Sequence, residues 1–268
     1  MAGTRMGVVG CAGRMGRMLV AEIAASANCV VAGGTDTRAS GHVNHDLGEI
    51  AGIGRIGIPV GDTVETLMRE ADVIIEFTEP AATAEHVRIA AGIGTPIVIG
   101  TTGLSREESA AVLDASRQIP IVWAPNMSLG VTLLLDVIEE VARRLGPEWD
   151  IEILEMHHRG KVDAPSGTAL ALARAAAKGR GVSFEEVAKR GRDGITGPRR
   201  EGEIGLAALR GGDAVGDHHV LFAAQGERLE FIHRATSRAI YAKGAVRAAL
   251  WVVGRAAGLY SLKEVLGL

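Results

Sequence analysis

Cysteine and aromatic residues are scarce in this chain of 268 residues. The two cysteines, Cys11 and Cys29, are not spaced as metal ligands or as a redox pair, so we expect a reducing compartment, no structural disulfide and no metal site. Aromatic residues make up only 3%, which leaves few stacking platforms for single-stranded nucleic acid. No apolar run reaches the roughly 18 residues of a membrane-spanning helix. The N-terminal sequence lacks the apolar core of a secretory signal, so we expect a cytoplasmic protein without membrane contact.

The chain also lacks a large excess of positively or negatively charged residues. Lys and Arg number 29 against 32 Asp and Glu, which gives a formal net charge of -3. This balance creates no overall field that would attract nucleic acid or an anionic membrane, so any anion must bind at a local site. Hydrophobic residues (47%) and 36 glycines are abundant instead, which suits a packed core and tight turns close to ligands.

The first half of the chain alternates short apolar runs with amphipathic stretches, which is the pattern of βαβ units. Apolar residues recur at three- and four-residue spacing from Met15 to Ile23, which predicts a helix that covers a sheet. The strands are nearly all apolar and therefore suit a sheet buried on both faces, so a Rossmann-like, doubly wound α/β domain is expected over residues 1–128. The predicted strands are residues 6–10, 29–33, 56–60, 72–77, 96–100 and 120–123.

The second half predicts a helix over residues 128–145 and then strands separated by turns rather than by helices. Strands are expected at 203–210, 214–224 and 228–235, with hairpin-like turns at 211–213 and 226–227. We therefore expect a second α+β domain over residues 129–237 with a mainly antiparallel sheet.

Two further segments of the second half have their own predictions. The basic, glycine-rich stretch from Arg190 to Arg200 is predicted to be a mobile loop, and its contact with a ligand stays open. A final helix over residues 239–257 is expected to return to the first domain, within a C-terminal segment of residues 238–268. His218 and His219 lie in a predicted strand, where we expect packing or subunit contacts rather than catalysis.

A glycine-rich turn joins the first predicted strand to the first helix. Gly10, Gly13 and Gly16 have the spacing G-x-x-G-x-x-G. In a dinucleotide-binding turn the first glycine permits the sharp bend, the second lets the backbone approach a pyrophosphate, and the third allows close packing of helix on strand. Amides at the helix start then bind the phosphates. A purely structural turn is the alternative. The predicted cofactor-binding residues of this turn are Gly10, Cys11, Ala12, Gly13, Arg14 and Met15.

Asp36 lies 20 residues after Gly16, at the end of the second predicted strand. A carboxylate there accepts hydrogen bonds from the adenosine ribose hydroxyls and favours NADH. However, Arg38 is placed to pair with a 2′-phosphate and Thr37 offers a hydroxyl, so both NADH and NADPH remain open as cofactors. The alternative is that Asp36 only closes a turn.

Two more loops follow predicted strands of the same sheet and should open onto the same crevice. Each alone is consistent with an ordinary loop, and only their agreement with the glycine-rich turn favours a cofactor role. The residues concerned are Gly100, Thr101 and Thr102 in one loop and Ala124, Pro125, Asn126 and Met127 in the other.

The segment EILEMHHRGKVDAPSGTALALA, over residues 152–173, concentrates ionisable and capping residues. Ser166 is a candidate N-cap, so that the amides of Gly167 and Thr168 would form an anion-binding helix terminus next to Lys161. A nearby histidine, His157 or His158, can donate a proton at neutral pH. Each residue taken alone is also consistent with a structural role. The part played by Asp163 stays open between orienting the loop and orienting Lys161.

The same segment resembles the signature of the dihydrodipicolinate reductase family, also called 4-hydroxy-tetrahydrodipicolinate reductases. The resemblance extends to the GCAGRMGR start, to EFTEP at 76–80, to VIGTTG at 98–103 and to GAVRAALW at 244–251. Departures are small. Glu76 stands where an aspartate is commoner, and Gly160 lies inside the motif, but neither removes a functional group.

This resemblance implies NADH- or NADPH-dependent reduction of a small dicarboxylate in lysine and diaminopimelate biosynthesis, by a homotetramer assembled through the second domain. It implies that His157 is the proton donor with Lys161 as its catalytic companion. It also implies that His158, Lys161, Gly167 and Thr168 hold the substrate carboxylates. Two other functions remain open: a regulator that senses dinucleotide without turnover, and an amino-acid or related dehydrogenase on the same two-domain plan.

Overall fold

The computed structural model describes residues 3–268, which divide into two compact units. The first unit contains residues 3–128 together with Ala239–Leu268, and the second unit is Leu129–Arg238. Within residues 3–268, no helix combines the length and the apolar character that crossing a membrane requires.

Strands and helices alternate through the first 128 residues. They are β1 (Thr4–Val9), α1 (Arg14–Ala25), β2 (Cys29–Thr35), α2 (Leu47–Ala51), α3 (Val64–Glu70), β3 (Val73–Glu76), α4 (Pro80–Ile93), β4 (Ile97–Ile99), α5 (Arg106–Ser116) and β5 (Pro120–Trp123). The second unit contains α6 (Leu129–Leu145), β6 (Asp150–His157), α7 (Gly167–Gly179), α8 (Phe184–Val187), β7 (Ala188–Arg190), β8 (Ile204–Arg210), β9 (Gly216–Ala224) and β10 (Glu227–Ala235). The C-terminal part of the first unit forms α9 (Ala239–Val252), β11 (Gly258–Tyr260) and α10 (Leu262–Leu266).

A parallel sheet in the order β11-β5-β4-β3-β1-β2 forms the centre of the first unit. Strands β3 and β4 are buried along their whole length. Helix α1 packs with α9, while α4 packs with α3 and with α5, which provides two helical groups to cover the sheet. The predicted doubly wound parallel sheet is therefore confirmed.

Residues 56–60 are not a strand of this sheet, so that prediction was wrong. Pro59 forms only an isolated bridge with Asp46. The carboxylate of Asp46 accepts hydrogen bonds from two amides at the start of α2 and from the amides of Ile56 and Gly57. Asp46 thereby caps α2 and holds the apolar run in a loop, because these amides are paired with a carboxylate rather than with a neighbouring strand.

The edge next to β5 is occupied instead by β11, which the sequence did not predict. The predicted helix over residues 239–257 ends at Val252, and Gly254 follows with a φ of +79°. A left-handed glycine directly after a helix is a common way for the helix to end. The chain then pairs Gly258 with Pro120 in parallel register.

The second unit contains a mixed sheet in the order β10-β9-β6-β8-β7. Strands β10, β9 and β6 pair antiparallel, as predicted, whereas β6, β8 and β7 pair parallel. Side chains of β6 alternate, and Ile151 and Ile153 face the core formed with Ile138 of α6, Leu172 of α7 and Phe222 of β9. Helices α6 and α7 therefore cover the face of the sheet to which the odd-numbered residues of β6 belong.

The two predicted hairpin turns have different outcomes. Residues 226–227 lie at a hairpin, where Glu227 pairs with Ala224 and Gly226 has a φ of +91°. Residues 211–213 do not form one, because β8 and β9 pair with opposite edges of β6 rather than with each other. Both segments contain the glycines typical of a turn. Only the pairing of β8 and β9 with β6 shows that residues 211–213 do not form a hairpin.

The basic segment at residues 190–200 is more restrained than a mobile loop. Arg192 donates hydrogen bonds to both carboxylate oxygens of Glu152, at 3.0 and 2.9 Å. Arg199 donates to the carbonyl oxygen of Ile151 at 2.8 Å. Both arginines therefore tie the segment to β6.

Candidate active site

The turn between β1 and α1 is held open by glycines. Gly10 has a φ of +74°, and its amide donates to the Thr35 carbonyl at 2.9 Å. Gly13 is the N-cap of α1, and no side chain caps the first-turn amides. The amides of Arg14 and Met15 belong to this first turn, so they are oriented to bind an anion such as a phosphate.

Gly16→Ala is expected to weaken NADH binding at least about tenfold and to lower the melting temperature by several degrees. A Cβ at this position would lie 2.2 Å from the Gly10 carbonyl oxygen and 2.6 Å from the Cys11 Cα. Both are backbone atoms of the glycine-rich turn, so the turn itself must shift. Fluorescence titration with NADH and thermal melts measure the two effects.

Gly92→Ala is the matched control, because a Cβ added to this helical glycine of α4 meets no atom within 4 Å. We expect unchanged NADH affinity and an equal or slightly higher melting temperature. Native NADH affinity in Gly16→Ala would contradict the binding role of the turn.

Asp36 is fixed at the end of β2 by two backbone hydrogen bonds. The Ala12 amide donates to Oδ2 at 2.9 Å and the Thr37 amide donates to Oδ1 at 2.8 Å. Each oxygen keeps a further lone pair, so the carboxylate can still accept from ribose hydroxyls. Burial, with a smaller contribution from the Asp36 charge, raises the pKa of Cys11 to about 12, so this thiol stays neutral.

A cavity of about 560 Å³ lies in the first unit beside this turn. Three predicted cofactor residues line it, namely Gly10, Gly13 and Asp36. Other lining residues were not predicted from the sequence, although several of them lie at or just after strand ends, where such a crevice is expected. They include Thr35, Asp62, Phe77, Thr78 and His86.

The loop after β4 is joined to this cavity through hydrogen bonds. The Thr78 amide donates to Thr101 Oγ1 at 3.1 Å, and Thr101 Oγ1 donates to the buried carboxylate of Glu76 at 3.0 Å. Gly100 is required because a Cβ there would lie 2.2 Å from the Phe77 ring. Thr102 is exposed in the same loop.

The loop after β5 begins with Ala124, whose amide donates to the Ile99 carbonyl at 3.2 Å. Asn126 accepts a hydrogen bond from the Ser128 amide at 2.8 Å, Met127 is buried and Pro125 is exposed. These residues follow a parallel strand at the same edge of the sheet as the glycine-rich turn. They do not line the cavity of the first unit.

Arg38 is turned toward a neighbouring carboxylate. Its Nε lies 2.6 Å from Oδ2 of Asp62, and its side chain is 87% exposed. Hydrogen bonds from Arg38 and Thr63 hold the pKa of Asp62 below its usual range. The cavity beside Asp36 is therefore lined by a second carboxylate, which the sequence analysis did not include.

In the second unit, His157 ends β6 on the same face as Glu155. Glu155 is fully buried, and its Oε2 lies 2.6 Å from His157 Nδ1. Arg210 donates to both Glu155 oxygens at 2.8 and 2.9 Å, and the Ser166 amide donates to Oε1 at 3.0 Å. Burial acts to raise the pKa of Glu155, but the hydrogen bonds from Arg210, His157 and Ser166 outweigh it and hold the pKa below its usual range.

The loop after β6 holds Lys161 close to Asp163. The Lys161 amide donates to the His158 carbonyl at 3.1 Å, and Nζ lies 2.7 Å from Asp163 Oδ1. The hydrogen bond from Lys161 holds the pKa of Asp163 below its usual range. Arg210 donates to the Asp163 carbonyl at 2.6 Å and so connects this loop to Glu155. The carboxylate of Asp163 thus pairs with Lys161, while its carbonyl oxygen holds the loop against Arg210.

Helix α7 begins where the sequence predicted. Ser166 Oγ accepts a hydrogen bond from the Ala169 amide at 3.1 Å, which confirms the N-cap. Gly167 and Thr168 form the first turn, and a Cβ at Gly167 would meet no atom within 4 Å. The helix start thus offers amide hydrogens and open space to an anion.

Glu155 and Arg210 were not predicted as members of this cluster, and for His218 only packing or subunit contacts were predicted. His218 Nε2 lies 3.1 Å from Ser166 Oγ, and its ring meets that of His157 edge to face at 5.2 Å between centroids. Burial, aided by the nearby His157 and His233, lowers the pKa of His218 to about 4. Of these residues, only Glu155 could have been predicted from the sequence. It lies two residues before His157 on a predicted strand, and residues two apart on a strand share a face.

The second unit therefore holds a carboxylate-bound imidazole, a lysine and a helix start capped by Ser166 within one cluster. Residues 4–127 match the family description "Dihydrodipicolinate reductase, N-terminus", and residues 130–266 match "Dihydrodipicolinate reductase, C-terminus". The chain is 52% identical over 262 residues to 4-hydroxy-tetrahydrodipicolinate reductase of Rubrobacter xylanophilus, covering 98% of each protein. It is 49% identical over 263 residues to the protein of that name from Magnetococcus marinus, again covering 98% of each.

Among solved structures, the chain is similar to a dipicolinate-bound dihydrodipicolinate reductase from Paenisporosarcina sp. TG-14, with a TM-score of 0.79, 25% identity and 98% of each chain covered. The family matches of both halves of the sequence and the structural similarity thus agree on the same family. The chain belongs to the dihydrodipicolinate reductase family.

Proposed function

We propose that this chain reduces 4-hydroxy-tetrahydrodipicolinate to tetrahydrodipicolinate with loss of water, in lysine and diaminopimelate biosynthesis. The observation that carries the proposal is the cluster of the second unit, in which His157 ends β6 against the buried Glu155 and α7 begins at Ser166. A proton donor next to an anion site is what a reductase of a small dicarboxylate needs. The dipicolinate bound to the Paenisporosarcina protein is itself a small dicarboxylate.

The first unit suits a nicotinamide dinucleotide. The uncapped start of α1 would hold the pyrophosphate, and Asp36 would accept from the adenosine ribose. The close packing at Gly16 leaves no room for a side chain, because the first turn of α1 lies directly against the backbone of Gly10 and Cys11. When bound, the reduced nicotinamide supplies the hydride. The residues proposed to line the whole dinucleotide are Gly10, Cys11, Ala12, Gly13, Arg14, Met15, Asp36, Arg38, Gly100, Thr101, Thr102, Ala124, Pro125, Asn126 and Met127.

The second unit handles the substrate in this proposal. Lys161, His158 and the start of α7 at Gly167 and Thr168 hold the carboxylates. Loss of water from the 4-hydroxy ring would leave a conjugated imine. As C4 of this imine receives hydride, electron density shifts toward the ring nitrogen. His157 then releases a proton to the developing negative charge, and the positive charge of Lys161 stabilises the same shift.

A spectrophotometric assay tests the proposal. Freshly prepared 4-hydroxy-tetrahydrodipicolinate should cause loss of reduced-nicotinamide absorbance in proportion to the enzyme added. A dinucleotide-sensing regulator would bind NADH without this loss, and an amino-acid dehydrogenase would respond to a 2-oxo acid with ammonia instead. Binding of NADH without consumption in the presence of fresh substrate would overturn the proposal.

Asp62→Asn is expected to strengthen NADPH binding about fivefold while NADH binding changes less than twofold. The substitution removes one of two carboxylates beside the ribose position and releases Arg38 to pair with the 2′-phosphate. Fluorescence titration with each reduced cofactor measures the dissociation constants.

Asp114→Asn is the matched control for Asp62, because Asp114 pairs with Arg117 at 3.3 Å on α5 and does not line the cavity. In an Asp62→Asn background, Arg38→Ala should abolish the gain. An unchanged preference in Asp62→Asn would show that this carboxylate does not influence the 2′ position.

A homotetramer and a cytoplasmic location are part of the same proposal. The face of the second sheet opposite α6 and α7 carries Leu209 and Ile232, which are 48% and 44% exposed. His219 pairs with Ile232 on this face. A second copy of the chain would cover these apolar side chains.

A further inference from the structure

We propose that Glu155 is a positioning residue that fixes the His157 ring with a hydrogen on Nδ1, so that Nε2 is the nitrogen that delivers the proton. The inference rests on the proposed role of His157. Glu155 touches neither substrate nor cofactor in this proposal, and it acts only through the imidazole.

The hydrogen-bond chemistry of the pair leads to one tautomer. A carboxylate that is ionised can accept hydrogen bonds but cannot donate them. Glu155 Oε2 lies 2.6 Å from His157 Nδ1, so Nδ1 must carry the hydrogen that the contact needs. When the imidazole is neutral, Nε2 then has a free lone pair, and when it is charged, Nε2 holds the transferable proton.

His157 is buried, and its Nε2 has room only because residue 216 is a glycine. A Cβ at Gly216 would lie 2.9 Å from His157 Nε2, so a side chain at that position would obstruct this nitrogen. Among the hydrogen bonds found within residues 3–268, none involves His157 Nε2. One ring nitrogen is therefore bound by the protein and the other is left for a ligand.

Arg210 decides that Glu155 orients the ring rather than taking its proton. The guanidinium donates to both carboxylate oxygens, and the Ser166 amide adds a third hydrogen bond. These donors favour the ionised carboxylate, so the proton stays on the imidazole.

The other ionisable groups near the ring also fit this assignment. His218 packs against His157 from β9, and burial, together with the charges of His157 and His233, lowers its pKa to about 4, so it is neutral at physiological pH. Lys161 also acts on His218 electrostatically and is itself paired with Asp163. The carboxylate in direct contact with the imidazole is that of Glu155.

Glu155→Gln tests the assignment. Glutamine keeps the volume but neither stabilises a charged imidazole nor requires a hydrogen on Nδ1. We expect kcat to fall about 10- to 100-fold with KM changed less than about threefold, and the alkaline limb of the pH–rate profile to move to lower pH. Glu155→Asp, which keeps the charge, should recover part of the rate and move the limb back.

Nitrogen NMR of histidine side chains in the native protein gives an answer that does not depend on catalysis or on the folding of a variant. The His157 signals, identified by their loss in His157→Gln, should show hydrogen on Nδ1 in the neutral ring. A neutral ring with hydrogen on Nε2 would overturn the inference. Glu155→Gln should lose the preference for Nδ1.

Glu152→Gln is the matched control, because this carboxylate also lies on β6 and also binds an arginine, but it faces the other side of the sheet. It should keep the native pH–rate profile and the native His157 tautomer. If the native protein does not consume NADH with fresh 4-hydroxy-tetrahydrodipicolinate, the proposed function fails. If His157→Gln is fully active, His157 is not the proton donor and the positioning role fails with it. If His157→Gln is slow while Glu155→Gln keeps the native profile and tautomer, only the positioning role fails.

Discussion

Replacing His157 with glutamine is expected to lower kcat about 100- to 1000-fold, while KM changes less than about threefold. Glutamine occupies a similar space and can form hydrogen bonds, but it cannot release a proton at neutral pH. The loss should therefore fall on the chemical step rather than on binding. Steady-state kinetics with NADH and 4-hydroxy-tetrahydrodipicolinate measure both constants.

His45→Gln is the control for this substitution, since His45 is exposed in the first unit and does not line its cavity. It should leave kcat unchanged. The NADH dissociation constant and the melting temperature of His157→Gln show whether the fold is intact, because loss of the imidazole leaves Glu155 with one hydrogen bond fewer. Native kcat in a folded His157→Gln protein would remove His157 from the mechanism.

Lys161→Ala is expected to lower kcat/KM about 100- to 1000-fold, with contributions from both constants. The ammonium would bind a substrate carboxylate in the ground state and would stabilise the electron shift in the transition state. Its ion pair with Asp163 limits the positions that the long side chain can adopt, which favours a defined role. Inhibition by dipicolinate, measured against the native protein, isolates the binding part and should weaken at least about tenfold.

Lys178→Ala provides the matched comparison for Lys161. Lys178 is also paired with a carboxylate of the second unit, at 2.7 Å from Glu139, but it lies in the last turn of α7 and is 70% exposed. Its removal should change kcat/KM by less than twofold. A Lys161→Ala enzyme with native kcat/KM and native dipicolinate inhibition would mean that the anion site lies elsewhere.

Elements that depend on residues close together along the chain were predicted correctly, whereas elements that depend on distant contacts were not. The strands of the first sheet were recognised because strands buried on both faces are continuous apolar runs. Residues 56–60 have the same apolar character, yet Asp46 binds their amides and keeps them out of the sheet. Strand β11 escaped prediction because three residues at a sheet edge show no periodicity.

In the candidate site, too, features that depend on nearby residues were predicted, and contacts between distant segments were not. The glycine-rich turn and the Ser166 cap depend on neighbours within a few residues, so their spacing alone predicts them. Asp62 beside Arg38 depends instead on a contact between distant segments. Asp36 was predicted from its place after β2, but its bond to the Ala12 amide required the fold.

By itself, the sequence determined strands β1 to β5 of the first unit, the glycine-rich turn and the start of α7, since each follows from residues close together along the chain. Only the tertiary structure decided that Arg210 and His218 meet Glu155 and His157. Those contacts depend on β8 and β9 pairing with opposite edges of β6, and that register results from packing the whole sheet against α6 and α7. The choice of proton-releasing nitrogen on His157 is thus set by neighbours that are remote in sequence.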